Sequence, residues 1–397
     1  MKVKFITFGC SRNVADTELM KGYVSKRHEI VDKGEEVTVV NTCFVKKETE
    51  KKIVRLLHKI KGKVVIAGCL AQARPQLIEA FPQASIIGVN KLERINDAIE
   101  GQIVDVGEGE PDFCADRVFN NPFISIVPIS SGCLGNCTYC CTRQARGVLR
   151  SRSPDNILRQ IKKDLKKNVT EIWLTSEDTG CYGFDINYSL PELINKITSL
   201  KGKFRIRVGM MNPWHVLKIL PELKNAMSHE KVYKFIHIPV QSGSDKVLAD
   251  MNRHYTAEDF LKIVNAFKGF NISTDIICGY PTESEEDWKK TVELIRKVMP
   301  EVLNISRFFP RPGTAAAMLK QLPSGISKER SRELLGIHKK IRESILKKLV
   351  GRKCEILSTS GSNGRDEFYR LVYINAGVGF HKAIITGYGR FLKGKII

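Results

Sequence analysis

The sequence predicts an α/β protein in three parts: an N-terminal parallel α/β sheet domain, a partial (β/α) barrel of TIM type, and a small C-terminal antiparallel β-barrel. Three observations predict it. Short β-branched runs alternate with amphipathic helical runs over residues 1–105, and the same alternation returns over residues 122–327. After residue 351 the pattern changes to short strands separated by glycine turns. Residues 106–121, with Gly107, Gly109, Pro111 and several acidic side chains, read as a linker, and residues 328–350 as a basic amphipathic helix.

In the first part, strands are expected at residues 3–8, 36–40, 63–67 and 85–89, with helices at 16–26, 48–61 and 75–80. Cys10, Cys43 and Cys69 each fall just past the carboxyl end of one of these strands. Open parallel sheets build their sites at that edge. A single cysteine is usually a small buried hydrophobe. Three at equivalent positions of three strands read instead as a three-thiolate metal site.

The second part is expected to hold six strands, at 124–129, 171–174, 205–208, 234–238, 274–278 and 303–308. The first leads into Cys133-Leu-Gly-Asn-Cys137-Thr-Tyr-Cys140, a C-x3-C-x2-C loop. A [4Fe–4S] cube takes four thiolates, so three leave one iron open to a small molecule. Gly132 and Gly135 suit a chain that must wrap closely around such a group. A zinc knuckle would need a fourth ligand, and Cys141, adjacent to Cys140, is poorly placed to supply it. The segments 175–180, 209–213, 239–245, 279–283 and 311–314 follow the other strands and should form a ligand-lined mouth facing the cysteine loop.

The third part carries strands expected at 353–357, 367–374, 381–388 and 392–397. Phe368, Tyr369, Tyr373, Phe380, Tyr388 and Phe391 are interleaved with basic residues, as in modules that bind oligonucleotides by stacking and phosphate contact. Most of these aromatics are expected to form the small barrel's own core. The chain carries a formal net charge of +21. Residues 328–397 hold 16 Lys/Arg and 6 Asp/Glu, so +10 of that excess is concentrated at one end, which points to a polyanionic partner. No apolar run approaches the ~18–20 residues of a membrane span, and the N-terminal apolar stretch is too short for a signal peptide. Eleven cysteines in such a chain argue for metal ligands and free thiols in a cytoplasmic protein. Cys114 has no visible partner.

Taken together, Asn41-Thr-Cys43, Gly68-Cys69-Leu-Ala-Gln72, the Cys133–Cys140 loop, Ala145-Arg-Gly147, Pro239-Val-Gln-Ser-Gly-Ser-Asp245 and Arg311-Pro-Gly-Thr-Ala-Ala316 resemble the radical S-adenosylmethionine (SAM) methylthiotransferase family. The likeness covers essentially the whole chain. Glu171-Ile-Trp-Leu-Thr-Ser-Glu-Asp-Thr-Gly180, Arg207-Val-Gly-Met-Met-Asn-Pro213 and Asp275-Ile-Ile-Cys-Gly-Tyr-Pro-Thr-Glu283 point to its archaeal and eukaryotic branch acting on threonylcarbamoyladenosine in tRNA. The resemblance implies two [4Fe–4S] clusters, one on Cys133, Cys137 and Cys140 that cleaves SAM, and an auxiliary one on Cys10, Cys43 and Cys69. It implies a C-terminal TRAM domain, the anticodon stem-loop of tRNA as partner, an electron donor, no membrane, and a monomer. Tyr139, Ser176, Glu177, Arg207 and Gln241 are the expected SAM contacts. The alternatives are methylthiolation of a ribosomal-protein aspartate and a non-catalytic, zinc-containing RNA-binding protein. Two departures stand out: the segment between Cys10 and Cys43 is compact, with residues 31–36 charged and Gly-containing, and Cys141 and Cys181 are extra thiols that the resemblance does not explain. The TRAM domain is expected to grip RNA by its phosphates, with the rest of the chain holding together without it.

Overall fold

In the computed structural model, β1 (Lys2–Thr7), β2 (Glu29–Ile30), β3 (Val37–Thr42), β4 (Lys63–Gly68), β5 (Ser85–Ile87) and β6 (Val104–Asp105) form one parallel sheet in the order β2-β1-β3-β4-β5-β6. The structure describes residues 1–45, 47–109, 113 and 115–397, so Cys114 and Pro111 lie outside the described residues. The chain steps outward from β1 to β2 and then crosses back to β3. The strand order therefore reverses between β1 and β3, which opens a crevice at their carboxyl ends. β3 is buried along its whole length, as a central strand covered on both faces must be. Val39 packs with Val3, Leu19 and Val65 on one face, and Val40 with Ile53, Ile66 and Leu70 on the other. The two edge strands β2 and β6 were not among the expected strands; at two residues each they carry no periodic signal. Residues 31–36 connect β2 to β3.

The helix Ser11–Val24 begins five residues before its expected start. Its first turns hold Arg12, Asn13, Asp16, Thr17 and Glu18, yet ten of its fourteen residues are buried. A polar helix is buried all round only when a second body covers it, and here that body is the rest of the chain. The segment expected as a linker does part of the covering. A Cβ on Gly22 would lie 1.8 Å from the Asp116 carbonyl oxygen, so only glycine admits the passing chain. Arg117 is buried and donates to Ile126 O (2.6 Å), Ser125 Oγ (3.1 Å) and Asp164 Oδ2 (2.5 Å). Residues 115–121 of this segment form a packed seam.

Beyond it come β7 (Ile124–Pro128), the short pair β8 (Ser130–Ser131) and β9 (Arg150–Ser151), then β10 (Glu171–Thr175), β11 (Arg205–Val208), β12 (Phe235–His237), β13 (Asn271–Cys278) and β14 (Val302–Arg307). β7, β10 and β11 form one parallel sheet and β12, β13 and β14 another. Parallel bridges Ile206↔Val232 and Met210↔His237 join them into a single open, curved wall of six strands. Ile172, Leu174, Ile206, Ile236 and Ile276 pack outward onto helices through Leu193, Leu223, Phe260 and Ile295. The helices start sharply. Ser153 caps Pro154–Leu165, and Ser284 with Asp287 forms a capping box on Glu285–Val298.

At the C-terminus β15 (Lys353–Ser358), β16 (Asn363–Arg365), β17 (Leu371–Tyr373), β18 (Gly379–Tyr388) and β19 (Leu392–Ile396) close into a barrel ordered β15-β16-β17-β19-β18. One pair, β17 with β19, is parallel, so the barrel is not wholly antiparallel as expected. The expected strand over 367–374 is also shorter. Asp366 accepts the amides of Phe368 and Arg370 and folds the chain into a turn, with Tyr369 at φ +64°.

The aromatics correct a second expectation. The barrel core is Cys354, Ile356, Val372, Ile374, Ala383, Ile385 and Leu392, with only Tyr388 of the six aromatics packed on it. Tyr369 instead meets Trp173, Tyr233 and Phe235 at centroid distances of 6.4, 5.0 and 5.2 Å, plugging the lower end of the six-strand wall. Phe380 lies under Lys203 and Arg205, while Tyr373 and Phe391 form an edge-to-face pair of their own. The helix Ser324–Lys347 ties the parts together, burying Leu334, His338 and Ile341 and pairing Arg330 with Glu283 at 2.6 Å. No helix among the described residues is long and apolar enough to cross a membrane.

Because Tyr369 fills the base of the neighbouring domain, Tyr369→Ala should destabilise the whole protein by ~2–4 kcal/mol, measurable by denaturant unfolding. An unchanged midpoint would mean that the two parts are independent. Glu18 supplies a pH signature. Burial raises its carboxyl from the ordinary range to about 7, although its Oε1 accepts the Asn120 amide at 3.0 Å. The folded state therefore holds the proton that the unfolded state releases at lower pH, and stability contributed below the ordinary carboxyl range is lost as pH rises toward about 7. Glu18→Gln should flatten that decline in a series of melts across the same range.

Candidate metal centres at the domain seam

Cys10 directly precedes the helix Ser11–Val24, Cys43 follows β3, and Cys69 opens the helix Cys69–Ala73 directly after β4. Two glycines let these loops converge. Gly9 has φ +114°, and a Cβ there would meet Cys43 Cβ at 3.0 Å; Gly68 has φ +94°, and a Cβ there would strike Asn41 Oδ1 at 2.1 Å. Asn13 sits among the thiols. Its Oδ1 accepts from Cys10 Sγ at 3.9 Å and Cys69 Sγ at 3.6 Å, while its Nδ2 donates to Phe8 O and Thr42 O at 2.8 Å each. Burial pushes the Cys69 thiol up to about 12, against the pull of the Arg146 guanidinium.

The second set lies in the loop after β8. Gly132 turns the chain at φ +79°, where a Cβ would be 2.0 Å from Val148 O. At Gly135 a Cβ would contact Cys133 Sγ at 3.3 Å and Cys137 Sγ at 3.8 Å, so both sulfurs face the same point. The sulfurs are surrounded by donors. Gly135 N donates to Cys133 Sγ (3.2 Å), Arg253 Nη1 to Cys137 Sγ (3.3 Å) and Thr142 N to Cys140 Sγ (3.4 Å). N–H groups aimed at sulfur favour the thiolate, the form a metal binds. Burial works the other way and pushes Cys133 up to about 12. Three thiols with donors around them fit an iron–sulfur cluster with one open iron. Cys141 gives no fourth ligand, because its buried side chain turns away and donates to Phe44 O at 3.6 Å.

A cavity of about 540 Å³ opens between the two parts, with Cys10, Cys43 and Cys69 on one side and Thr142, Arg146, Ser176 and Glu177 on the other. Arg146 spans it. Its Nη2 reaches Asp16 Oδ2 at 2.6 Å and Asn13 Oδ1 at 3.3 Å, and its Nε lies 3.5 Å from Glu177 Oε1. Glu177 Oε2 in turn accepts the Gly132 amide at 3.0 Å. One chain of polar contacts thus runs from the first thiol set to the backbone beside Cys133.

The five expected SAM contacts are placed unequally. Ser176 and Glu177 line the cavity. Tyr139 packs against Val247, Met251, Tyr280 and Ala316. Gln241, four residues past the end of β12, has φ +74°, with its amide bonded to Asp275 O and its carbonyl to Ile277 N. Arg207 lies beneath Phe235 and Tyr369, and its Nε has no hydrogen-bond partner among the described residues. Cys181 is grouped with Asp178 and His215, whose ligand atoms all lie within 4.8 Å of one another; His215 Nδ1 and Asp178 Oδ2 are 2.6 Å apart. Sequence reasoning missed Asn13, Asp16 and Arg253. Asn13 follows Cys10 by three positions and Arg146 lies within a quoted stretch, but Arg253 is far from Cys137 in the chain and carries no local signal.

Residues 127–295 match the Radical SAM superfamily, and residues 2–88 match an uncharacterized protein family, UPF0004. A probable threonylcarbamoyladenosine tRNA methylthiotransferase of Pyrococcus horikoshii is 46% identical over 90% of this chain and 88% of that protein. Its counterpart in Archaeoglobus fulgidus is 42% identical over 100% of this chain and 96% of its own length. The Homo sapiens threonylcarbamoyladenosine tRNA methylthiotransferase is 37% identical over 84% of this chain and 62% of its own length. Among solved structures, the radical S-adenosylmethionine methyltransferase TsrM from Kitasatospora setae aligns with a TM-score of 0.58 at 12% identity, covering 80% of this chain and 77% of that one, a likeness of fold. With identity of this level across nearly its full length, the chain belongs to the radical-SAM methylthiotransferases, in the threonylcarbamoyladenosine tRNA branch.

Proposed function

We propose that this chain replaces the hydrogen on C2 of N6-threonylcarbamoyladenosine, at position 37 of tRNA, with a CH3–S– group. Its relatives' names support the substrate. The structural observation that carries the reading is the opening of the N-terminal thiol set onto a cavity whose far wall directly follows the second set. C2 of adenine is an unactivated carbon, beyond the reach of a side-chain base or nucleophile, so bound cofactors must do the chemistry. Cys133, Cys137 and Cys140 are the proposed ligands of one [4Fe–4S] cluster, and Cys10, Cys43 and Cys69 those of a second. When bound, the clusters and SAM supply the radical, the methyl group and the sulfur.

The chain's own residues position and shield. Arg146 places positive charge beside Cys69 and holds the two walls in register through Asp16 and Glu177. Glu177 fixes the Gly132 amide, and with it the start of the cysteine loop. Ser176, Glu177, Tyr139, Arg207 and Gln241 are the proposed SAM-binding residues. The left-handed backbone at Gln241 costs about 1–3 kcal/mol and persists only where the surroundings over-determine it. tRNA is the proposed partner of the basic C-terminal part, where the exposed Tyr373 ring pairs with Phe391 beside Arg390 and Lys393. An external electron donor completes the reaction.

Anaerobically reconstituted protein should bind about eight irons, four per cube. The Cys133→Ala/Cys137→Ala/Cys140→Ala triple variant should keep about half of them and lose reductive SAM cleavage; iron and sulfide analysis with assay of 5′-deoxyadenosine checks both. Surviving cleavage would overturn the assignment. Cys43→Ala should abolish the methylthio nucleoside in digested tRNA while SAM cleavage continues. Product formed by that variant would show the N-terminal thiols to be buried side chains only.

A further inference from the structure

Phe44 lines the cavity, and near it a second cleft of about 400 Å³ lies between the helix Lys47–Leu57 and the 310–312 loop. Arg74 and Arg311, which line this cleft, hold their guanidinium carbons 5.3 and 4.5 Å from the Phe44 ring centroid. Lys47, Lys51 and Arg55 add three more cations, against the single carboxylate of Glu50. Glu50 is committed to Arg311 Nη2 at 2.8 Å, and the same nitrogen donates to Phe44 O at 2.5 Å. Arg311 is only 5% exposed and its guanidinium bears on the Cys141 thiol, yet its Nε has no oxygen acceptor among the described residues. A buried, unmatched guanidinium donor is costly in a folded protein and calls for an acceptor. Lys47 and Arg74 rest on the rings of Phe309 and Phe44.

We propose that this cleft receives the carboxylate of the threonylcarbamoyl group on N6 of the target adenosine, with Arg311 and Arg74 as its anion-binding pair and Lys47 beside them. The inference rests on the substrate assigned above and adds how that substrate is told from plain adenosine. C2 and C6 flank N1 on one ring, so an adenine held with C2 toward the N-terminal thiols still has its N6 substituent free to reach an adjoining space. That substituent bears the only anion on the base. A planar guanidinium matches a carboxylate through two parallel hydrogen bonds, and a partly desolvated one does so most strongly. The cleft is also not uniformly polar: Val54, Pro310 and Pro312 interleave with the cations. A threonyl group brings a methyl to cover such surface, whereas a backbone phosphate does not.

The test reads binding, in the absence of SAM, of full-length reconstituted protein to anticodon stem-loop RNAs by fluorescence anisotropy. The three RNAs carry threonylcarbamoyladenosine, its methyl ester, or adenosine at the target position. The wild type should bind the acid at least about 10-fold more tightly than the ester, the scale of one hydrogen bond to a charged group. Arg74→Gln and Lys47→Gln should each reduce that preference while leaving affinity for the ester RNA unchanged. Lys47 is exposed, so its substitution keeps the fold. Arg311→Lys, which keeps the charge but loses the fork, should also erode the preference. Equal wild-type affinity for acid and ester would overturn the proposal. So would variants that weaken both RNAs alike, the signature of a backbone-phosphate contact. A preserved acid preference without any methylthio product would instead overturn the reaction assigned above and leave this site standing.

Discussion

Thiols gathered at one seam must lose their protons before they can hold iron, and burial opposes that loss. Cys69 and Cys133 are both pushed up to about 12 by desolvation. Positive charge and N–H donors are the protein's counterweight. Arg253 donates to Cys137, while Arg146 stands beside Cys69 with its own charge balanced by Asp16. A buried ion pair of this kind contributes little net stability, but breaking one member leaves a stranded charge. The pair therefore acts as a register pin between the two parts. The helix Ser11–Val24 can be polar and buried at once because each group is met: Asn13 donates to Phe8 O and Thr42 O, Asp16 pairs with Arg146, and Glu18 accepts the Asn120 amide.

The same logic of shared surfaces governs the C-terminal barrel. Its basic face suits RNA, yet Arg365, Tyr369 and Phe380 are spent on the neighbouring domain. Arg365 approaches the buried Glu171 at 3.8 Å, and Trp173 donates to that carboxylate at 2.7 Å. Removing the module would strip these partners from Glu171, Arg207 and Phe235. It is a structural base for the six-strand wall as well as the carrier of a basic, aromatic-bearing face. Arg207, on β11, meets that base through the rings of Phe235 and Tyr369.

Much of the site was legible because its chemistry is local. The C-x3-C-x2-C spacing brings three sulfurs together within one loop, whatever the rest of the chain does. Cys10, Cys43 and Cys69 are far apart in sequence, but each is tied to a strand end, and adjacent parallel strands bring their ends to one edge. The β-branched runs of β1, β3 and β4 therefore carried the second site with them. Strands β2, β6 and β16 escaped notice because two or three residues hold no period to detect.

Sequence by itself determined the three-part α/β order, the two thiol sets and the concentration of positive charge at one end. The tertiary structure decided which partner each group meets. Arg253 reaches Cys137, Arg311 reaches Phe44 and Glu50, Arg146 reaches Asp16, and Tyr369 reaches Trp173. It also decided that Cys141 turns from its neighbour Cys140 toward Phe44. None of these has a spacing rule, because the partners lie on separately folded elements. Their meeting depends on how whole domains pack, through desolvation and charge pairing that exist only once the seam has closed.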